Sequence, residues 1–273
     1  MEAELDLLLT ELGASSWTEV ASATVLVLAR TAPLTVLCPW LLPAVPSWIR
    51  ASAALVLCAA LLPSALASAK EIPSSALLLS LLGTREVLVG ILFALASSLP
   101  LLALGWAGRL IDLWRGALLS DCSASTEQTL ASPLEQLYRS AGAALFVLLA
   151  GHLMALGAFA DSFGALPLGA TQSTLSLDSV ALDLTKLVGA ALAFATRLAA
   201  PVAVALLGVD VCAAILSRAV EGFAAHFVLL PLRAGAGLAV ALLGITLTFD
   251  AFSEVIDDGI RVATKLLGGL TGD

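Results

Sequence analysis

Along this chain the apolar residues come in long runs, broken only here and there by proline, glycine or an isolated charge. Six stretches approach the roughly 20 mostly apolar residues that a membrane-spanning helix needs. They cover about 20–46, 51–69, 76–105, 133–160, 187–216 and 227–252. None alternates apolar with polar positions as a barrel strand would, and all are rich in Ala and Leu, so the pattern predicts helices. Lipid narrows the choice further, because only helices and closed barrels satisfy every backbone polar group internally. The expected fold is an all-α membrane protein, a single membrane domain over 1–273 built of about six long apolar segments, several of them kinked or broken into hairpins.

The interruptions are as informative as the runs. Arg30, Pro33, Pro39 and Pro43 fall in the first, which predicts a kink or break there. Arg85 and Glu86 fall in the third, Arg197, Pro201 and Asp210 in the fifth, and Arg233 in the sixth. A charge at membrane depth costs about 2.5–3.5 kcal/mol on insertion scales, so such helices are expected to pack against protein or line a polar path. For Glu86 and Arg233 the alternative is snorkelling toward the interface. Asp210 has apolar neighbours on both sides and must meet a cation or backbone donors. Arg197 and Arg218 are the candidate partners within the chain, giving a set of buried charges, and a partner subunit is the other source.

Two linkers separate the runs. The first, about 120–132, is small and polar and ends in Ser132-Pro133-Leu134-Glu135, a capping box with proline at the first helical position, so a helix should begin near Pro133. The segment from Ala117 follows Gly116, lacks aromatic anchors and has little apolar surface with which to pack. Between two long apolar helices it is placed to obstruct a pore and move aside; its candidate gating residues are Ala117, Asp121, Ser123, Ser125, Glu127 and Ser132. Just before it, Asp112 lies three residues from both Arg109 and Arg115, a spacing that predicts a charge network at the end of the third helix. The second linker, about 162–182, turns at Pro167 and Gly169.

Composition confirms the solvent. Of the 273 residues 60% are hydrophobic and 12% charged, and mean hydropathy is +1.02; a soluble domain carries about 25% charged residues. The net charge of −8 argues against nucleic acid, whose phosphates need a basic footprint. The first nineteen residues hold Glu2, Glu4, Asp6, Glu11 and Glu19 and no Lys or Arg, so no cleavable signal is expected. The distribution of Lys and Arg among the loops slightly favours an outside N-terminus. The four cysteines have no metal-site spacing and fit small packed residues.

Catalytic motifs are missing. Gly235-Ala236-Gly237 begins a dinucleotide-like pattern, but Val240 holds the third glycine position. There is no phosphate loop and no nucleophile elbow. His152 and His226 are the only histidines, and His152 fits a packed, hydrogen-bonded helix residue. Neither an enzymatic activity nor a cofactor or metal is expected. A small-solute permease is the competing class, but it should show paired symmetric halves, and the chain has none.

Three segments carry a family resemblance. The first is Ala107-Gly108-Arg109-Leu110-Ile111-Asp112-Leu113-Trp114-Arg115-Gly116. The second joins Leu145-Phe146, Gly151-His152-Leu153, Asp161-Ser162-Phe163 and Leu166-Pro167-Leu168-Gly169. The third runs from Ala200-Pro201 through Ser217-Arg218 to Leu230-Pro231-Leu232-Arg233. In order and spacing they resemble the SctT/FliR family of type III secretion export-apparatus proteins, over roughly 17–255. The chain departs from the pattern at Trp114, where glutamine is common, and at Val220-Glu221-Gly222, where the family usually has Pro-Gln near an Asn. The resemblance implies a pore subunit of the export gate in a bacterial inner membrane, multi-pass and partly raised toward the periplasm, with the injectisome favoured over the flagellum. It implies SctR/FliP-like, SctS/FliQ-like and SctU/FlhB-like partners, and unfolded protein substrates in transit. It also implies that the loop after Gly116 helps to close the channel.

Overall fold

The computed structural model describes residues 16–38, 45–70, 75–116, 132–169, 177–219 and 231–244, with single positions at 256, 259 and 261. Most of these residues are helical and none lies in a strand. The helices are α1 (Trp17–Leu37), α2 (Ser47–Ser68), α3 (Ala76–Trp114), α4 (Pro133–Leu148), α5 (Gly151–Ala165), α6 (Leu177–Ala219) and α7 (Pro231–Gly244).

Their ends follow local chemistry. Ser16 opens α1, its Oγ accepting from the Glu19 N–H at 3.3 Å. The helix carries Pro33 within it and stops at Leu37, short of the expected 46, because Cys38 precedes Pro39 and adopts an extended backbone. α3 continues through Pro100 to Trp114 rather than ending near 105, and α6 extends from Leu177 through Pro201 to Ala219. The run expected as one helix over 133–160 is two, because Leu149 and Ala150 leave the helical conformation and Ala150 sits at φ 56°.

Four helices are long and apolar enough to cross a membrane, or five spans if α4 and α5 count as one. Two of them exceed what a crossing requires. α3 has 39 residues and α6 has 43, against the roughly 20 that a crossing requires.

The helices group into two compact units. The first takes the described parts of 1–98, 150–187 and 257–273, the second those of 99–149 and 188–256. The core of the first unit is built from Leu26, Val27, Leu34, Val89 and Phe93 with Phe159 and Phe163. Phe93 and Phe159 lie 5.1 Å apart between centroids, and Phe159 meets Phe163 edge-on at 5.8 Å. In the second unit Leu104, Ile111, Tyr138, Phe146, Val202 and Leu206 are buried, and the Tyr138 hydroxyl donates to the Ala241 carbonyl at 3.2 Å.

Burial is uneven. The most apolar stretch of α3 is 67% buried and that of α6 only 17%. Val204, Leu207, Val211 and Ile215 form an exposed apolar stripe at helical spacing along α6, which lipid or another subunit must cover.

Candidate functional site

The densest polar arrangement lies inside the first unit, around Arg30. This α1 side chain is fully buried. Its Nε and Nη2 both reach Oε2 of Glu86 on α3, at 2.5 Å. Nη1 donates to the Ser162 carbonyl at 3.2 Å and to its Oγ at 3.3 Å, and Nη2 donates to the Leu166 carbonyl at 2.9 Å. The guanidinium carbon stands 4.3 Å from the centroid of the Phe163 ring, a cation–π position. A helix ends with unsatisfied carbonyls and a negative dipole end. Arg30 therefore caps the C-terminus of α5 while neutralising a carboxylate from α3.

Neighbouring contacts tighten the same place. Ser162 Oγ donates to the Phe159 carbonyl at 2.5 Å, and Ser68 at the end of α2 donates to the Phe163 carbonyl at 3.0 Å. The Lys70 N–H donates to the Leu168 carbonyl at 2.9 Å, just before Gly169 turns the chain with φ 77°. Gly90, one turn along α3 from Glu86, lets the two backbones approach, because a Cβ there would run into the Arg30 carbonyl oxygen. Glu86 Oε1 makes no hydrogen bond, and Arg85 Nη1 lies 3.8 Å from it. Three helices thus meet at one buried charge pair, with α2 tied to α5 beside it. Breaking such a pair costs far more than forming it gains, so the arrangement acts as a lock on geometry.

A second cluster lies in the second unit. Asp112 is fully buried on α3; its Oδ1 accepts from Arg115 Nε at 2.7 Å and its Oδ2 from the Leu134 N–H at 2.8 Å. It thereby satisfies one of the free N–H groups opening α4. Ser132 satisfies another, its Oγ accepting from the Glu135 N–H at 3.4 Å, as the capping box predicts. Gly108 makes room for this junction, since a Cβ there would strike the Leu134 carbonyl. Arg233 on α7 joins two further points: Nη2 donates to the Trp114 carbonyl at 2.7 Å, and Nη1 lies 3.5 Å from Asp210 Oδ1.

Several expected site residues stand elsewhere than the sequence suggested. Arg109 is exposed and takes no part in the Asp112 pair. Asp210 does meet a cation, but it is Arg233, and the Asp210 side chain is 42% exposed. Arg197 and Arg218 are exposed, so the expected set of buried charges does not form within this chain. Of the expected gating residues only Ser132 is described, as a buried helix cap; Ala117, Asp121, Ser123, Ser125 and Glu127 lie outside the described residues, as does the 220–222 departure. Among the family-motif residues, Ser162, Phe163, Pro167 and Gly169 fall at the Arg30 site or in the turn after it, and Gly108 and Gly116 flank Asp112. Gly151 opens α5, followed by His152, whose Nδ1 is buried without a hydrogen-bond partner. Pro201 lies inside α6 and Pro231 opens α7.

The site residue that sequence reading missed is the pairing of Arg30 with Glu86. Both charges were visible within apolar runs, but nothing local joins positions 56 residues apart. Among the described residues no group of three or more His, Cys, Asp or Glu is placed to hold a metal.

These helices, with charges buried in pairs and an apolar exterior, define a multi-pass membrane protein. The sequence profile of the bacterial export proteins, family 1, matches residues 21–259. The chain belongs to that family, the FliR/SctT family of the type III secretion and flagellar export apparatus. A search of curated proteins found no match.

Proposed function

We propose that the chain is a pore-forming subunit of the inner-membrane export gate of a type III secretion system, of the injectisome kind, and that unfolded proteins pass through the pore it helps to build. The observation that carries this is the family match over 21–259, nearly the whole chain. Three structural features support it. α3 and α6 are about twice as long as a simple crossing needs, as expected of helices partly raised from the bilayer toward the periplasm. The apolar stripe on α6 offers a face for other subunits. Asp112 ties the end of α3 to the start of α4, the two helices that flank the proposed gate segment 117–131.

The partners are SctR/FliP-like and SctS/FliQ-like subunits in one assembly, with an SctU/FlhB-like subunit beside it. The chain contributes no chemistry of its own; energy for transport is supplied elsewhere. The test is co-expression with those subunits, purification of the tagged chain in mild detergent and mass measurement of the intact particle. A single particle containing all three gate proteins is expected. A chain that purifies alone under conditions where the others assemble would contradict the proposal.

A further inference from the structure

In the second unit the end of α3 and the middle of α6 enclose an open groove of about 480 Å³. Trp106, Arg109, Leu110 and Leu113 line it from α3, and Leu192, Ala195 and Thr196 from α6. On each helix these positions fall at three- and four-residue spacing, so each contributes one face. The lining is almost wholly apolar. The Thr196 hydroxyl is spent on its own helix, donating to the Leu192 and Ala193 carbonyls at 3.0 and 2.9 Å. Among the described residues Arg109 is the only charged one lining the groove. It is exposed, and among the described residues it has no ion-pair partner, because Asp112 is taken by Arg115.

We propose that this groove holds one anionic phospholipid, with an acyl chain along the apolar lining and the headgroup phosphate on the Arg109 guanidinium. The planar guanidinium fork suits two phosphate oxygens. Trp106, three residues away, has the amphipathic ring that settles at the headgroup level of a membrane. An acidic helix from another subunit is the other candidate with the right charge, and a groove that shows no preference for anionic lipid would point to it. The net charge of −8 repels anionic lipid in general, so any headgroup preference must come from a local site. The inference needs only that the chain resides in a membrane. It stands or falls independently of the pore assignment.

The experiment uses the full-length chain, purified in mild detergent and stripped of bound lipid. Native mass spectrometry follows titration with phosphatidylglycerol and, separately, with phosphatidylcholine of the same acyl chains. Phosphatidylglycerol should bind about fivefold more tightly, because phosphatidylcholine presents the same phosphate but offsets it with its choline cation, leaving one unpaired Arg to favour the net anionic headgroup. Arg109→Gln should abolish that preference, and Leu192→Trp, which crowds the groove from an exposed position, should weaken both lipids. Arg218→Gln, an exposed arginine outside the groove, should change neither. Both groove positions are exposed, and unchanged melting temperatures would confirm that the variants fold. Equal binding of the two lipids by the wild type overturns the proposal. So does a preference that survives Arg109→Gln or is lost equally in Arg218→Gln. Competition by chain-free glycerophosphoglycerol or inorganic phosphate as effective as the lipid itself also overturns it.

Discussion

Arg30 on α1 and Glu86 on α3, 56 residues apart in sequence, form a 2.5 Å ion pair with neither side chain exposed. Removing one member leaves the other buried and uncompensated, which costs about 3–5 kcal/mol. Arg30→Ala and Glu86→Ala should each lower the melting temperature in detergent sharply. The double variant Arg30→Met/Glu86→Leu should recover part of that loss, but not all, because the Ser162 and Leu166 carbonyls remain uncapped. Single variants that melt with the wild type would show that the pair locks nothing.

Gly90 and Gly83 lie on the same helix and offer a paired test. A Cβ at Gly90 collides with the Arg30 backbone, whereas one at Gly83 meets nothing within 4 Å. Gly90→Ala should destabilise by about 1–3 kcal/mol, the usual cost of overpacking. Gly83→Ala should be neutral or stabilise by up to about 1 kcal/mol, through helix propensity. Thermal unfolding of the two variants side by side checks this, and equal shifts would mean that α1 and α3 do not approach closely at Gly90.

At the other cluster, Asp112→Ala removes both the partner of Arg115 and the acceptor for the Leu134 N–H. A loss of about 1–3 kcal/mol is expected, from a buried donor left unsatisfied. Asp112→Asn keeps an acceptor oxygen and should lose less. Hydrogen exchange at the start of α4 reads the effect locally: Asp112→Ala should speed exchange there, and an unchanged rate would remove Asp112 from the capping role.

How far these features could be read in advance depended on their range. The capping box at Ser132-Pro133-Leu134-Glu135 is local chemistry, and the structure realises its N-cap half, Ser132 accepting from the Glu135 N–H. The apolar runs located the helices, but proline rules trimmed or spared their ends: Pro39 stopped α1, while Pro33, Pro100 and Pro201 lie inside helices. The break at Ala150 carried no recognisable signal, since alanine is an ordinary helix former. Spacing alone made Arg109 and Arg115 equal candidates for Asp112. Helix side chains lean toward the N-terminus, so Arg115 reaches back over Asp112 while Arg109 leans away from it. The contacts Arg30–Glu86 and Asp210–Arg233 join separate helices, and no periodicity within one helix can specify them.

The segment between Gly116 and Ser132 is the proposed gate. Deleting 123–130 should leave assembly intact but render membranes containing the complex permeable to small ions. Conductance of the reconstituted complex measures this. Wild-type conductance together with normal secretion would reduce the segment to a connector.

The central claim is that exported protein passes alongside this chain. A photoreactive amino acid placed at Ser125, in cells carrying a substrate stalled in mid-export by a folded C-terminal fusion, tests it directly. The account predicts a crosslink between the chain and the stalled substrate that disappears when the substrate lacks its export signal. A stalled substrate that crosslinks to the neighbouring subunits but never to probes at Ser123, Ser125 or Glu127 would contradict it.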